Sequence, residues 1–278
     1  MIALSITGVV LDMDGLLIDT EPVWRSAGQE VFAELGVELT RADLLDTTGV
    51  RVDEMAAAFL SRRPPSADPA AAFLSRRPPS ADPAVAFLPR RPPSADPAAA
   101  FLPRRPPSAD PPGPDPPGPG PAEVADRITD LVVDYVRRAG EPMPGVPEAI
   151  ALFQRSGLRL AIASSSPERL IDAVCARLKL DIDVRCSALD EPRGKPAPDV
   201  YLAAAHRLGL SPVRCLAVED SPAGVLAAKA AGLTCLAVPD PLLADDPRYR
   251  RADLVLSSLT ELTGPLLRSL CSLASGAS

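Results

Sequence analysis

The hydrophobic pattern of the chain is one of short apolar runs that alternate with segments of helical periodicity. The first run is Val-Val-Leu at 9–11, and adjacent β-prone residues are typical of a strand buried on both faces of a parallel sheet. Further strands are predicted over 158–163, 184–187, 215–218, 234–238 and 254–256, with helices between them over 168–178, 197–208 and 223–231. This alternation predicts an α/β fold with a doubly wound parallel sheet.

The segment between the first two predicted strands is helical. Apolar residues at helical spacing predict helices over 21–36, over 42–47, from Arg51 onward, over 122–138 and over 147–157. Helices inserted after the first strand predict a small helical cap domain over 21–61 and 122–143. The sheet domain then comprises 1–20 and 144–278.

A 14-residue repeat interrupts these helices. Its register is marked by Phe59, Phe73, Phe87 and Phe101, and residues 62–121 hold 20 of the 34 prolines. So many prolines disfavour helices and strand pairing, and we expect a disordered or polyproline-II insertion there. Its Pro-Arg-Arg-Pro stretches are similar to ligands of proline-recognition domains, which makes such a domain a candidate partner.

The net charge of −7 is unevenly distributed. Residues 62–121 carry eight Arg and five Asp, so the rest of the chain is more acidic than the total indicates. An acidic body argues against a nucleic-acid-binding surface. We expect no membrane association, because the first residues do not resemble a signal peptide and no apolar stretch is long enough to span a bilayer. A cytoplasmic protein is predicted, with a monomer as the default.

Cysteine and histidine add no second site. The five cysteines are scattered and form no Cys-x-x-Cys pair, which favours buried thiols in a reducing compartment over a zinc site or disulfides. The single histidine, His206, follows three alanines on a predicted helix, and we expect it to be structural or exposed.

Two acids follow the first strand directly. Asp12 and Asp14 precede Gly15, so we expect both at the carboxyl edge of the sheet, where open α/β sheets bind ligands. Asp-x-Asp-Gly has three interpretations: a turn, a calcium-binding loop, or a Mg²⁺-assisted phosphoryl-transfer site. The calcium loop fails, because its sixth and twelfth positions would be Leu17 and Val23 instead of glycine and glutamate.

Three later stretches offer partners for these acids. The second strand ends in serines at 164–166, where hydroxyls and free amides at a helix N-terminus suit an anion, although a plain helix cap looks the same. Lys195 lies in a Gly-Lys-Pro stretch before another helix. The strand over 215–218 ends in Glu219 and Asp220. Turns do not explain two buried strands that each end in paired carboxylates.

In this order, these motifs resemble those of the haloacid dehalogenase superfamily, and the inserted helices resemble its small α-helical cap. The motif residues are Asp12-Met-Asp-Gly, Ser164, Lys195 and Glu219-Asp220. Longer stretches, 12–24, 164–167 and 194–201, are similar to sugar-phosphate phosphatases related to β-phosphoglucomutase, notably the 2-deoxyglucose-6-phosphate (hexitol phosphate) phosphatases. The resemblance covers nearly everything except 62–121 and the C-terminal tail.

The resemblance implies a Mg²⁺-dependent phosphatase of small hexose or hexitol phosphates that works through an aspartyl phosphate. Asp12 is the expected nucleophile, and Asp14 is the expected acid and base. The expected phosphate ligands are Ser164, Ser165 and Lys195. The expected Mg²⁺ ligands are Asp12, the backbone carbonyl of Asp14, and Asp220. Glu219 is expected either to bind the ion directly or to hold the residues that bind it. The expected sugar contacts are Arg51, Trp24 and Ser166.

Two other functions stay open. A β-phosphoglucomutase-type isomerase would share the core residues, but such mutases carry a histidine where this chain has Trp24 and an arginine where it has Val52. They also follow the serine motif with a basic residue, where this chain has Pro167 and Glu168. Because groups for a second phosphate are missing, hydrolysis is favoured. The other alternative is a catalytically weak scaffold that acts through the repeat.

Overall fold

The sheet has the predicted parallel architecture. The computed structural model describes residues 6–62, 118–182 and 184–273, and six strands lie within them: β1 (Gly8–Leu11), β2 (Arg159–Ser164), β3 (Val184–Ser187), β4 (Cys215–Glu219), β5 (Thr234–Ala237) and β6 (Leu254–Val255). All strand pairs are parallel, in the spatial order β3-β2-β1-β4-β5-β6. The strand that precedes Asp12 is therefore central, with β2 on one side and β4 on the other.

Helices cover both faces of this sheet. In the described ranges they are α1 (Glu21–Glu34), α2 (Arg41–Asp46), α3 (Val52–Leu60), α4 (Pro121–Ala139), α5 (Val146–Arg155), α6 (Glu168–Leu178), α7 (Asp199–Arg207), α8 (Pro222–Ala230) and α9 (Gly264–Leu273). Because side chains of a strand alternate between faces, Val10 packs with α7 and α8 while Val9 and Leu11 join the opposite apolar cluster. This confirms the doubly wound α/β fold.

The helices between β1 and β2 pack on one another. Helix α4 contacts both α1 and α3, and Phe32 meets Phe59 edge to face with ring centroids 5.7 Å apart. Helix α4 also contacts α6 beside the sheet. One continuous apolar cluster includes residues of these helices and of the sheet. The predicted division into cap and sheet domains stays a prediction.

The predicted element bounds agree with the structure to within one or two residues at most ends. Helix α9 was not predicted, because its first two residues, Gly264 and Pro265, resemble a turn. Pro167 is the N-cap of α6 with an extended ψ of 154°, directly before the predicted start of this helix at Glu168. Of the predicted insertion over 62–121, residues 63–117, which include its Pro-Arg-Arg-Pro stretches, lie outside the described residues, and Pro121 already belongs to α4. In the part of the chain described, no helix is both long and apolar enough to span a bilayer.

Candidate active site

Asp12, Glu219 and Asp220 lie close together at the carboxyl ends of the neighbouring strands β1 and β4. Parallel pairing sets Leu11 opposite Val218, so Asp12 and Glu219 follow at the same level of the sheet. The Asp12 N–H donates to the Val218 carbonyl over 2.9 Å. Carboxylate oxygens of Asp12, Glu219 and Asp220 lie within 4.8 Å of one another, and all three residues are buried. Buried carboxylates this close repel one another unless a cation lies among them.

Lys195 supplies part of that positive charge. The loop between β3 and α7 carries it, and its Nζ donates to Asp12 Oδ1 (2.5 Å) and to Glu219 Oε1 (2.6 Å). Burial lowers the pKa of Lys195, but the two carboxylates outweigh burial and raise the pKa above its ordinary value. The ammonium is therefore charged. One ammonium among three carboxylates leaves an excess of negative charge if all are ionised.

The Glu219 carboxylate is fully occupied by donors within the described chain. Oε1 accepts from Lys195 and from the Tyr201 hydroxyl, each over 2.6 Å. Oε2 accepts from the backbone N–H groups of Asp220 and Ser221 and from the Ser221 hydroxyl, each over 3.1 Å. With five donors on two oxygens, Glu219 is suited to holding Lys195 in place, and it has little capacity left for a metal.

Asp220 has the opposite environment. It is 1% exposed, and neither carboxylate oxygen has a hydrogen-bond partner among the residues described. Burial, together with repulsion from Asp12 and Glu219, raises the pKa of Asp220 well above its usual range. Gly15, at φ +76°, leaves room for this side chain, because a Cβ there would lie 2.1 Å from Asp220 Oδ2. An unpartnered buried carboxylate beside Asp12 fits a hard divalent cation that prefers oxygen ligands.

Asp12 also responds to its buried position. Burial raises the pKa of Asp12 to about 8, and repulsion from Glu219 adds to the effect while Lys195 opposes it. A divalent cation beside the carboxylate would favour its ionised form. The residues present therefore fit Mg²⁺, with Asp12 and Asp220 as the side chains placed to hold it.

The Asp14 carboxylate accepts four hydrogen bonds from described side chains. Oδ1 accepts from Thr20 Oγ1 (2.7 Å) and from Trp24 Nε1 (2.9 Å). Oδ2 accepts from Ser166 Oγ (2.7 Å) and, over 3.3 Å, from Ser164 Oγ. Asp14 is thus held between the start of α1 and the serines that follow β2.

The three serines have different partners. Ser164 is fully buried at the end of β2, and its Oγ also accepts from the Ser166 N–H over 3.0 Å. The Ser165 hydroxyl donates to the Gly49 carbonyl over 2.7 Å, so it links the core to the loop before α3. Ser187 donates to the Ser166 carbonyl and supports this turn from below.

A cleft opens beside the acids, and residues between α2 and α3 form much of its wall. Among the described residues, it is lined by Asp12, Asp14, Glu21, Trp24, Arg25, Leu44, Thr47, Thr48, Gly49, Val50, Val52, Met55, Ser165, Ser166 and Asp220. Glu21 pairs with Arg25 over 3.1 Å. Burial, and then repulsion from Asp14, raises the pKa of Glu21 to about 7. The cleft thus combines apolar walls with polar groups on the side of α1.

Arg51 lies in another environment. Its Nε and Nη2 donate to the two Asp53 oxygens (3.0 and 2.6 Å), and Nη1 donates to the carbonyls of Ala188 and Glu191, each over 3.2 Å. It is not among the described residues that line the cleft. The predicted sugar contact by Arg51 has no support in this geometry, because the guanidinium is already used to join α3 to the loop that carries Lys195.

Two of the three predicted sugar contacts lie at the cleft. Trp24 and Ser166 line the cleft, where their predicted sugar contacts stay predictions. His206 is exposed on α7, as expected. Tyr201, Thr20 and Glu21 contribute to the site without having been predicted. Tyr201 lies six positions after Lys195 with no polar neighbour to mark it, while the Thr20-Glu21 pair at the start of α1 was read as a helix boundary.

The fold and this site define a hydrolase, and the chain belongs to the haloacid dehalogenase-like hydrolases, whose family model matches residues 6–232. It is 34% identical over 264 residues to hexitol phosphatase B of Escherichia coli K12, covering 93% of this chain and 95% of that protein. The crystal structure of CbbY from Rhodobacter sphaeroides in complex with phosphate superimposes with a TM-score of 0.64 at 27% identity, covering 92% and 96% of the two chains.

The crystal structure of β-phosphoglucomutase from Clostridium difficile is similar to this chain in fold. Its TM-score is 0.68 at 16% identity, and the match covers 96% of this chain and 98% of that one.

Proposed function

We propose that this chain is a Mg²⁺-dependent phosphatase that hydrolyses small hexose or hexitol phosphates through an aspartyl phosphate. The observation that carries the proposal is the buried cluster of Asp12, Lys195, Glu219 and Asp220 beside a cleft that Asp14 also lines. Similarity to hexitol phosphatase B over nearly the whole chain supports the substrate class.

In the first half of the reaction, an Asp12 oxygen attacks phosphorus and the bond between phosphorus and the sugar oxygen breaks. The sugar oxygen takes a proton from Asp14 as it leaves. In the second half, Asp14 takes a proton from water, whose oxygen attacks the same phosphorus. Inorganic phosphate leaves, and Asp12 is regenerated as a carboxylate.

The surrounding residues neutralise and orient the transferred group. Lys195 and Ser164 would hold phosphoryl oxygens, and Glu219 would keep Lys195 aimed at Asp12. Mg²⁺ held by Asp12, Asp220 and the Asp14 carbonyl would add positive charge where the phosphoryl oxygens lie.

We further propose that residues 21–61 and 122–143 act as a cap over this site. The segment at 47–50, between α2 and α3, lines the cleft opposite the acids, and Gly49 accepts a hydrogen bond from Ser165 of the core. Cap residues would then select the sugar, while core residues carry out the phosphoryl transfer.

The cysteines support a reducing compartment. All five are free thiols, and four are buried. Burial raises the pKa of Cys215 to about 11, which keeps this thiol protonated and unreactive. We therefore propose the cytoplasm as the site of action.

The test is phosphate release from a panel of hexose and hexitol phosphates, with Mg²⁺ and with EDTA. We expect metal-dependent release, and Asp12→Asn should reduce turnover by at least about 100-fold because the nucleophile is lost. Asp126→Asn, the same change on the exposed face of α4, is the matched control. Undiminished turnover by Asp12→Asn would contradict the mechanism.

The panel includes β-glucose 1-phosphate with a sugar bisphosphate. Isomerisation of this substrate without free phosphate would show a mutase instead of a hydrolase. Release that persists in EDTA would contradict the role of the metal.

A further inference from the structure

We propose that Trp24 is a positioning residue that, with Thr20, orients the Asp14 carboxylate so that Oδ2 exchanges the proton with the substrate and with water. The inference rests on the proposed function, in which Asp14 is the acid and base. It assigns to Trp24 a role other than contact with the sugar.

Oδ1 of Asp14 is held by two donors from the first turn of α1. Thr20 Oγ1 lies 2.7 Å away and Trp24 Nε1 lies 2.9 Å away. An indole nitrogen donates and never accepts, so a proton on Oδ1 could not point toward Trp24, although the Thr20 hydroxyl could accept it. Trp24 therefore distinguishes the two oxygens, because its N–H donates a stronger hydrogen bond to an unprotonated Oδ1 than to the hydroxyl oxygen of a protonated one, which favours Oδ2 as the oxygen that takes the proton.

Oδ2 of Asp14 contacts hydroxyl groups that can pair with either a protonated or an ionised carboxyl group. Its neighbours are the hydroxyls of Ser166 (2.7 Å) and Ser164 (3.3 Å). A hydroxyl rotates to donate to a carboxylate or to accept from a carboxylic acid. Oδ2 can therefore gain and lose a proton without leaving a buried group unpaired, and Ser166 lines the cleft on this side.

Helix geometry explains why both donors reach the same oxygen. Thr20 is the N-cap of α1, and the Trp24 backbone N–H donates to the Thr20 carbonyl over 2.9 Å, which closes the first turn. Residues four apart lie on the same face of a helix, so both side chains project toward Asp14. The first turn of α1 acts as a clamp on the acid and base.

The test separates a positioning role from a general loss of structure. Trp24→Phe removes the N–H and keeps an aromatic ring in the cleft. We expect kcat for a hexitol phosphate to fall by about 10- to 100-fold, which is part of the roughly 10²- to 10⁴-fold that a general acid supplies, with KM changed less than about threefold. Ser26→Ala, on the same helix, removes a hydroxyl whose partner is the Val23 carbonyl and serves as the matched control.

Nitrophenyl phosphate provides the discriminating substrate, because its leaving group departs without a proton. In single-turnover experiments, nitrophenolate release by Trp24→Phe should stay within about threefold of wild type, while its hexitol phosphate turnover falls. An equal loss on both substrates would overturn the inference, as would no loss on either.

Trp24 is the only tryptophan in the sequence, so fluorescence tests the contact without turnover. Asp14→Ala should shift the emission maximum, whereas Ser26→Ala should not. An unchanged emission in Asp14→Ala would overturn the contact. If wild type released no phosphate from any sugar phosphate, the proposed function would fail, and the emission comparison alone would decide whether Trp24 holds Asp14.

Discussion

Glu219 and Asp220 are adjacent carboxylates whose surroundings differ in kind. Glu219 accepts five hydrogen bonds within the described chain, whereas Asp220, nearly as buried, accepts none there. Burial of an unpaired carboxylate opposes folding, and burial of a paired one does so far less. The difference suits Glu219 to stabilising the folded state, and it leaves Asp220 free to bind the divalent cation that we propose.

Replacing each carboxylate by its amide should therefore have opposite effects on the free energy of unfolding, which should rise for Asp220→Asn and fall for Glu219→Gln. Because the pKa of Asp220 is raised in the folded protein, its contribution to stability falls as the pH rises above the ordinary aspartate range. At about pH 8, in EDTA, Asp220→Asn should raise the free energy of unfolding by about 1 to 3 kcal/mol. Glu219→Gln should lower it by about 3 kcal/mol, because a buried ion pair is broken. Urea denaturation measures both.

Metal titration completes this comparison. Asp220→Asn should weaken Mg²⁺ binding by at least about tenfold in calorimetric titrations, and Glu219→Gln should weaken it less. Two results would contradict these separate roles for Asp220 and Glu219. One is a lower free energy of unfolding in both variants, and the other is a larger loss of Mg²⁺ affinity in Glu219→Gln than in Asp220→Asn.

Glu21 introduces a pH dependence near neutrality. Burial and Asp14 raise its pKa from 4.5 to about 7, so its favourable contribution is complete below about pH 4 and is lost as the pH rises through 7. The stability of Glu21→Gln relative to wild type should therefore increase by about 3 kcal/mol between about pH 4 and pH 8, at roughly 1.4 kcal/mol per unit. Chemical denaturation in EDTA across this range measures the difference. Glu30→Gln, the same change at an exposed acid on α1, is the matched control.

Sequence reasoning succeeded where backbone topology decides position. Asp12, Glu219 and Asp220 could be expected together because parallel strands end at one edge of the sheet. It did not foresee that Trp24 would donate to Asp14 or that Arg51 would bind carbonyls, because these contacts depend on side-chain rotamers and on how the helices dock. The catalytic and binding roles of all these residues stay predictions.

At the scale of elements, Arg51 joins α3 to the loop that carries Lys195. Its Nη1 donates to the carbonyls of Ala188 and Glu191, and its aliphatic chain lies against Gly194, where a Cβ would come within 2.6 Å of Arg51 Cδ. The planar fork of the guanidinium makes these contacts while also pairing with Asp53, which an ammonium cannot do.

Arg51→Lys should therefore loosen the packing of the proposed helical cap on the core. We expect the KM for a hexitol phosphate to rise about threefold to tenfold, because a smaller fraction of molecules would hold the cleft closed before substrate binds. Steady-state kinetics measures this. Arg169→Lys, which alters an exposed arginine that joins α6 to Asp126 of α4, should leave KM within about twofold. Equal kinetics for Arg51→Lys and wild type would show that this contact does not control the cleft.

The elements themselves were largely predictable. The predicted bounds of helix α6 and strand β3 agree with the structure at both ends, because the hydrophobic pattern of each segment favours one type of element. Helix α9 was missed, since Gly264 and Pro265 resemble a turn and only the docking of Leu267 and Leu270 on the core makes the segment helical. Tertiary packing thus decided what local pattern left undetermined.

For the whole molecule, the main feature outside the catalytic core is the repeat between α3 and α4. These two helices pack against each other on either side of it, and α4 also packs on α1. At the edge of the insertion, Arg62 pairs with Asp43 over 2.7 Å, which ties the last residue described before the gap to α2. Within the described ranges, the residues that line the cleft lie between 12 and 55 and between 165 and 220, on either side of the repeat in sequence.

Removal of residues 71–112, three copies of the 14-residue unit, should therefore preserve activity. We expect kcat/KM for a hexitol phosphate to stay within about threefold of wild type. The free energy of unfolding should rise by about 1 kcal/mol, because a roughly threefold shorter connection costs less entropy to close. A second variant, in which a Gly/Ser segment of equal length replaces residues 71–112, separates the effect of length from that of sequence.

If the deletion abolished turnover in a folded protein while the Gly/Ser variant remained active, the length of the insertion would matter for the proposed cap. If both lost activity, the repeat sequence itself would take part in function, and an inert insertion would be excluded.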